Sequence, residues 1–273
     1  VNLADPEVLR PFLQRHGLSA RKNLGQHFLC SPTAVEAIVA AASGSRGILE
    51  IGPGPGVLTA ALSETFQAVT ALEIDSSLKG ALAESAPKAQ VLFDDALKTD
   101  LSQVLEELPE PRAVVSNLPY YITAPLVSRI ADARAHYSVA VLMMQSEVAD
   151  RIVAEPGNGD RGSLSVYLQA LFEIRRVVSV PASGFLPPPK VDSQVLAFRP
   201  FASTTDPETF FTFVRQGFSH PRKTLANNLT GYGKGRVLEA LEGADLKASV
   251  RPHEIKLDQW RALFAQLMIN TQL

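Results

Sequence analysis

A short apolar run, Ile48-Leu49-Glu50-Ile51, meets the turn Gly52-Pro53-Gly54-Pro55-Gly56, and a helical pattern begins at Val57. This order is the first strand–turn–helix of a nucleotide-binding α/β sheet, where strand ends and a helix N-terminus converge on a ligand. A dinucleotide fingerprint needs Gly-x-Gly-x-x-Gly. Gly52 and Gly54 fit that pattern, but Val57 holds the third slot and Gly56 comes one residue early. Two prolines stiffen the turn, which suits a small ligand better than a pyrophosphate. A second strand, Ala68 to Asp75, carries Glu73 near its carboxyl end. That is about 20 residues past the turn, where a carboxylate accepts ribose hydroxyls. Together these features point to an adenosine without a pyrophosphate, a description that S-adenosylmethionine meets.

The rest of the chain follows in the order such a sheet requires. Val8, Leu9, Phe12 and Leu13 recur at helical spacing in a leader. Gly25 breaks that pattern, and Ser31-Pro32 starts a helix with Val35, Ile38, Val39 and Ala42 as its buried stripe. Further strands are expected at 90–93, 113–116 and 139–143, with a helix from Ser146. Two late strands, 174–180 and 193–198, would form an antiparallel hairpin beside an otherwise parallel sheet. After Pro200 only helical patterns remain, among them Phe211, Val214 and Phe218, then Leu257, Trp260, Phe264 and Leu267. The expected division is a catalytic α/β domain over 1–200, with its helical leader at 1–30, and a small all-helical domain over 201–273.

Composition excludes several classes. No apolar run approaches the roughly 18 residues of a membrane span, and no signal-peptide pattern is present. One cysteine, Cys30, excludes an internal disulfide, so a cytoplasmic protein is expected. Cys30 precedes the sheet and sits at no strand end, which argues against a nucleophilic role. The five histidines are scattered, and no metal site is expected. The net charge of -2 hides an uneven distribution. Residues 1–30 carry four Lys/Arg against two acids, residues 201–273 nine against seven, and the segment between 13 against 19. By itself that is the charge of solvated faces.

The fourth strand ends in Asn117-Leu118-Pro119-Tyr120. Asn and Pro are common turn residues, but a loop at the carboxyl ends of such strands is where these sheets do chemistry. Adenine N6 is a poor nucleophile because its lone pair is delocalised into the ring. The Asn117 carboxamide oxygen and the Leu118 backbone carbonyl can each accept one amino hydrogen. That would favour a pyramidal nitrogen and stabilise developing positive charge. Tyr120 can stack on the base. No general base is required, since the proton can leave after transfer. Asp94 and Asp95 are adjacent in sequence and make no natural acid–base pair.

The motifs Gly25-Gln26-His27-Phe28-Leu29, Glu50-Ile51-Gly52-Pro53-Gly54, Asn117-Leu118-Pro119-Tyr120 and Phe185-Leu186-Pro187-Pro188-Pro189-Lys190-Val191-Asp192-Ser193 occur together. In this combination the chain resembles the ribosomal RNA adenine N6-dimethyltransferases, most of all the bacterial small-subunit type. The segment Phe218 to Leu225, read as helical, extends the likeness past Pro200. The resemblance implies a class I, Rossmann-like methyltransferase sheet. It implies that His27 and Leu29 close over the cofactor, although the family often has asparagine at position 27. It further implies that Gly52 lines the methionine end, Glu73 holds the ribose and Asp95 meets the adenine amino group. Asn117 would sit between cofactor and target, and Tyr120 and Phe185 would sandwich a flipped adenine. Phe185 alone would read as core packing, and Arg222-Lys223 alone as a solvated face. With the family in view, Arg21, Lys22, Arg222 and Lys223 are expected to grip RNA backbone.

The implied substrate is small-subunit (16S) RNA in a pre-assembled 30S particle, methylated by a monomer at two adjacent adenines near the 3′ end. Three alternatives remain. One is the same chemistry on large-subunit (23S) RNA, as in macrolide-resistance methyltransferases; the 187–193 run argues against it. Another is a ribosome-assembly factor whose methylation is secondary, and the last is a nicotinamide oxidoreductase.

Overall fold

A computed structural model describes residues 2–19, 26–202 and 207–269. Arg21, Lys22 and Gly25 lie outside the described residues, as does Asp206. The chain forms two compact units, Val1–Ala149 with Glu173–Pro200, and Asp150–Phe172 with Phe201–Leu273.

The first unit is built on a seven-stranded sheet. In chain order the strands of the protein are β1 (Phe28–Leu29), β2 (Gly47–Ile51), β3 (Ala68–Glu73), β4 (Gln90–Phe93), β5 (Arg112–Asn117), β6 (Val139–Gln145), β7 (Phe172–Val180), β8 (Phe185–Leu186) and β9 (Ser193–Pro200). The large sheet has the order β4-β3-β2-β5-β6-β9-β7. Pairing is parallel from β4 through β6, and β9 runs antiparallel to β6. Chain order reverses at β2, which lies between β3 and β5, so the ligand-binding switch point falls there. All five residues of β2 are buried, as an interior parallel strand requires.

Helices follow from local signals. Asp5 caps α1 (Pro6–Arg15), whose Leu9, Phe12 and Leu13 are buried in the sheet unit's core. Ser31 Oγ accepts from Ala34 N at 3.4 Å and starts α2 (Pro32–Ala41), with proline in its first turn. Then come α3 (Val57–Thr65), α4 (Lys79–Ser85), α5 (Leu101–Glu106), α6 (Thr123–Asp132) and α7 (Ser146–Ile152). A second, two-stranded sheet pairs β1 with β8 antiparallel, Phe28 opposite Leu186 and Leu29 opposite Phe185. It joins two sequence motifs that are far apart along the chain.

The second unit holds α8 (Ser163–Leu171), α9 (Pro207–Gly217), α10 (Leu225–Asn228), α11 (Lys234–Gly243) and α12 (Leu257–Ile269). Here the structure departs from the expected boundary at residue 200, because residues 150–172 group with the helices after it. Val166 and Ala170 of α8 share a core with Phe210, Phe213 and Trp260. Arg161, 2% exposed, donates to Ile255 O at 2.5 Å and to Gln169 Oε1 at 3.2 Å. A buried guanidinium spending its donors in this way ties the segment in place. The expected stripe of α9 is borne out at Val214 and Phe218 and extended by buried neighbours. Phe210, Phe213 and Val214 are buried, while Phe211 stacks on Tyr167 at 4.1 Å.

Residues 218–224 form turns, where a helix was expected. Pro221 has no N–H to donate, Thr224 caps α10, and Asn228 Nδ2 donates to Gly217 O and His220 O at 2.6 and 3.1 Å. Arg222 and Lys223 are exposed on that turn. Among the described residues no helix is long and apolar enough to cross a membrane.

Gly217 ends α9 against Trp260, which is fully buried. A Cβ at Gly217 would lie 2.5 Å from Trp260 Cη2, whereas one at Gly235 would meet nothing within 4 Å. Gly217→Ala should therefore destabilise the protein by about 1–3 kcal/mol through overpacking, despite the better helix propensity of alanine. Gly235→Ala should be neutral or slightly stabilising. Chemical denaturation of the two full-length variants checks both, and equal stability of the two would refute the packing argument.

Candidate active site

The carboxyl ends of β2, β3 and β5 open onto one cleft. Gly52 and Gly54 form its floor with φ of +74° and +58°, a region that suits glycine. A Cβ on Gly54 would also press on the Phe28 ring at 3.3 Å.

Glu73 lies in the same cleft and is 5% exposed. Its Oε2 accepts from Gly54 N at 3.0 Å and its Oε1 from Asp75 N at 2.9 Å. Glu73 thus braces the glycine turn, a role that sequence reasoning did not assign. Burial raises its pKa, while the Asp75 and Gly54 amides favour the carboxylate. Glu50, on β2, is 2% exposed. Burial pushes its pKa up to about 8, the Thr59 hydroxyl opposes this, and the Glu73 charge adds to it.

Asn117 ends β5 and lines the cleft. Its Nδ2 donates to the backbone carbonyl of His27 at 3.2 Å, which leaves Oδ1 as the acceptor. Ser116 Oγ, donating to Ile51 O at 2.7 Å, sets the height of this strand end against the glycine turn. Leu118 N donates to Met143 O at 3.0 Å. The Pro119 and Tyr120 carbonyls both receive the Thr123 hydroxyl, which fixes the loop. The Tyr120 hydroxyl pairs with Ser193 Oγ at 2.8 Å, and burial raises its pKa against that bond. The phenol is therefore neutral near pH 7, and its ring is the feature offered to a ligand.

The cleft thus gathers His27, Gly52, Glu73, Asn117, Leu118, Pro119 and Tyr120 from the expected set. Three expected residues are not among those that line it. Phe185 is 2% exposed and Leu29 4%; the β1–β8 pairing sets them side by side, and both belong to the sheet unit's core. Phe185 packs in the core here and is not among the residues lining the cleft. Asp95 sits beyond β4, with Oδ1 accepting Leu97 N at 3.0 Å and Oδ2 3.6 Å from Lys98 Nζ. Gln26, Phe28, Ile74 and Tyr121 also line the cleft and were missed. Ile74 and Tyr121 are 57% and 54% exposed, and each directly follows a predicted site residue. Adjacency to Glu73 and Tyr120 was the available signal. Among the described residues no cluster of His, Cys, Asp and Glu could hold a metal.

The chain matches the family described as ribosomal RNA adenine dimethylase over residues 17–268. It is 38% identical to the ribosomal RNA small subunit methyltransferase A of Streptococcus uberis, covering 96% of this chain and 97% of that protein. Its fold is similar to a dimethyladenosine transferase from Plasmodium falciparum, with a TM-score of 0.74 and 27% identity over 87% of this chain and 96% of that one. The 23S rRNA methyltransferase ErmE is similar at a TM-score of 0.67 and 29% identity, over 88% and 99%. These likenesses place the sheet among class I methyltransferase folds.

The buried carboxyl of Glu50 has a consequence for stability. In the folded protein it keeps its proton up to about pH 8, whereas its ordinary value is 4.5. The stability it contributes is complete at low pH and is lost as pH rises through the folded value. Glu50→Gln, which mimics the protonated form, should flatten the fall in Tm between about pH 5 and pH 8.5. Thermal melts of both proteins across that range check this, and parallel pH profiles would remove Glu50 as the cause.

Proposed function

Since the chain belongs to the ribosomal RNA adenine dimethylase family, we propose that it methylates N6 of two adjacent adenines near the 3′ end of small-subunit ribosomal RNA, giving dimethyladenosine. The natural substrate on this reading is a pre-assembled 30S particle in the cytoplasm, and the modification serves small-subunit biogenesis. One observation carries the chemistry: the Asn117 amide nitrogen is held by His27 O, so its oxygen is the group left to receive an adenine amino hydrogen at the cleft.

The donor is S-adenosylmethionine, which when bound supplies the methyl group on an electrophilic sulfonium. The cleft suits it, because Gly54 holds a positive φ that disfavours a side chain, a Cβ there would crowd the Phe28 ring, and Glu73 is a buried acceptor beside it. Gly52 and Gly54 would let the backbone approach it closely, and the Glu73 lone pairs not spent on Gly54 and Asp75 would receive the ribose hydroxyls. Asn117 Oδ1 and the Leu118 carbonyl would hold the two N6 hydrogens and steady positive charge on the nitrogen. Tyr120 would stack on the adenine, worth about 1–3 kcal/mol. Its hydroxyl is held by Ser193 and remains protonated, so no base acts at this point and the N6 proton leaves for solvent. After one methylation one amino hydrogen remains for one acceptor, so a second round on the same nitrogen is feasible. A base held in this way must leave its stack, which favours a loop or junction over a regular helix.

Arg222 and Lys223, exposed on the turn before α10, would contact phosphate. Reversing both to glutamate should weaken RNA binding, reduce the slope of affinity against salt and leave cofactor affinity unchanged. Filter binding at several salt concentrations tests this, and an unaltered slope would exclude the turn from the interface.

The reaction itself is tested by mass spectrometry of small- and large-subunit RNA after incubation with the protein and cofactor. Dimethyladenosine is expected in the small-subunit RNA. Asn117→Ala should lower the rate by at least about 100-fold while cofactor still binds. Dimethyladenosine confined to large-subunit RNA would overturn the substrate assignment in favour of an ErmE-like activity, and unmodified RNA with cofactor bound would favour an assembly role.

A further inference from the structure

His27 is the residue on which the two halves of the adenine site converge. Its backbone carbonyl accepts the Asn117 amide at 3.2 Å. Its Nδ1 lies 2.8 Å from Pro187 O, and because a carbonyl can only accept, Nδ1 carries the proton. Its ring stacks on Tyr120, with centroids 5.5 Å apart and planes 25° apart. The Tyr120 ring is fixed at its far end by the hydroxyl bond to Ser193. A chain of contacts therefore runs from Pro187 through the imidazole and the Tyr120 ring to Ser193, along one wall of the cleft.

Phe185 is buried in the core and is not among the residues lining the cleft, whereas the Tyr120 ring is. One face of Tyr120 is already taken by His27. A base that stacks on Tyr120 must use the other face, and its distance from Asn117 Oδ1 then depends on how firmly the Tyr120 ring is backed. We propose that His27 is a positioning residue for the target adenine, its ring buttressing Tyr120 and its carbonyl orienting the Asn117 amide. This rests on the cleft being an adenine N6 methylation site. The proposal differs from a cofactor contact in what it makes the imidazole do. A contact with the cofactor acts on cofactor affinity, whereas a buttress acts on turnover and on capture of the base.

Substitution separates the two, since the carbonyl survives every side-chain change and the ring does not. Phenylalanine keeps a ring without a donor for Pro187 O, and asparagine keeps a donor without a ring. The experiment measures kcat and KM on small-subunit particles, and the Kd of free S-adenosylmethionine, for wild type, His27→Ala, His27→Phe and His27→Asn. His27→Ala is expected to lower kcat about tenfold and raise KM for the particle, with cofactor Kd within about twofold of wild type. His27→Phe should recover most of the lost turnover and His27→Asn should not. Thermal melts identify any variant that fails to fold, in which case the Phe and Asn variants decide between ring and donor. Full kcat in His27→Ala with a weakened cofactor Kd would overturn the proposal and leave His27 a cofactor contact. Rescue by Asn but not by Phe would overturn it by making the Pro187 bond the essential feature. A wild-type protein that methylates adenine while the His27 series behaves in either of those ways leaves the enzyme assignment standing. A wild-type protein that methylates no adenine would overturn both.

Discussion

The Glu73 carboxylate accepts Gly54 N with one oxygen and Asp75 N with the other, and so joins the carboxyl ends of two neighbouring strands through a buried acid. The conformation of the glycine turn and the path of the chain after β3 both depend on that junction. Burial makes it costly to hold charge there, and the backbone donors offset part of that cost. Glu50, buried nearby on β2, keeps its proton near neutral pH. Two carboxyl groups can then share a poorly hydrated region without both being ionised. On the proposed reading the brace and the ribose acceptor are one side chain, which would couple the shape of the turn to occupancy of the cleft.

A second set of contacts closes the site from the other side. The β1–β8 pairing sets Phe28-Leu29 beside Phe185-Leu186, and Phe28, Leu29 and Phe185 all belong to the sheet unit's core. The flanking positions, His27 and Pro187, are left at the surface of this small sheet and bond to each other. The Asn117 amide and the Tyr120 ring are then oriented from a segment about ninety residues away, by contacts that are individually modest. The arrangement depends on neutral hydrogen bonds and ring packing, consistent with chemistry that needs orientation more than proton transfer.

The helical unit is a separate packing problem. Its centre is Trp260, seated against Gly217 and Phe218 and edge-on to Phe213. Residues 150–172 join it because α8 presents Val166 and Ala170 to the same core and Arg161 spends its donors on Ile255 and Gln169. The chain thus leaves the sheet unit after Ala149 and returns at Glu173 for the last two strands of the sheet.

Much of this was legible before any tertiary contact was known. The strand–turn–helix at 48–59, Glu73 at the end of its strand, the cap at Ser31-Pro32 and the antiparallel β9 all follow from signals carried within a few residues: apolar period, glycine at positive φ, a capping side chain. Asn117 and Tyr120 were placed because a strand end at the switch point is itself a local inference. That Phe185 and Leu29 pack in the core was not legible, because whether an aromatic or a leucine is buried depends on distant parts of the chain. The turn at 218–224 depended on Asn228 reaching back to Gly217 and His220, and the allegiance of α8 on a core assembled from helices 40 to 100 residues later. Local chemistry specified the elements and the reactive groups. Burial, being a property of the whole packed chain, decided which of those groups remained available to a substrate.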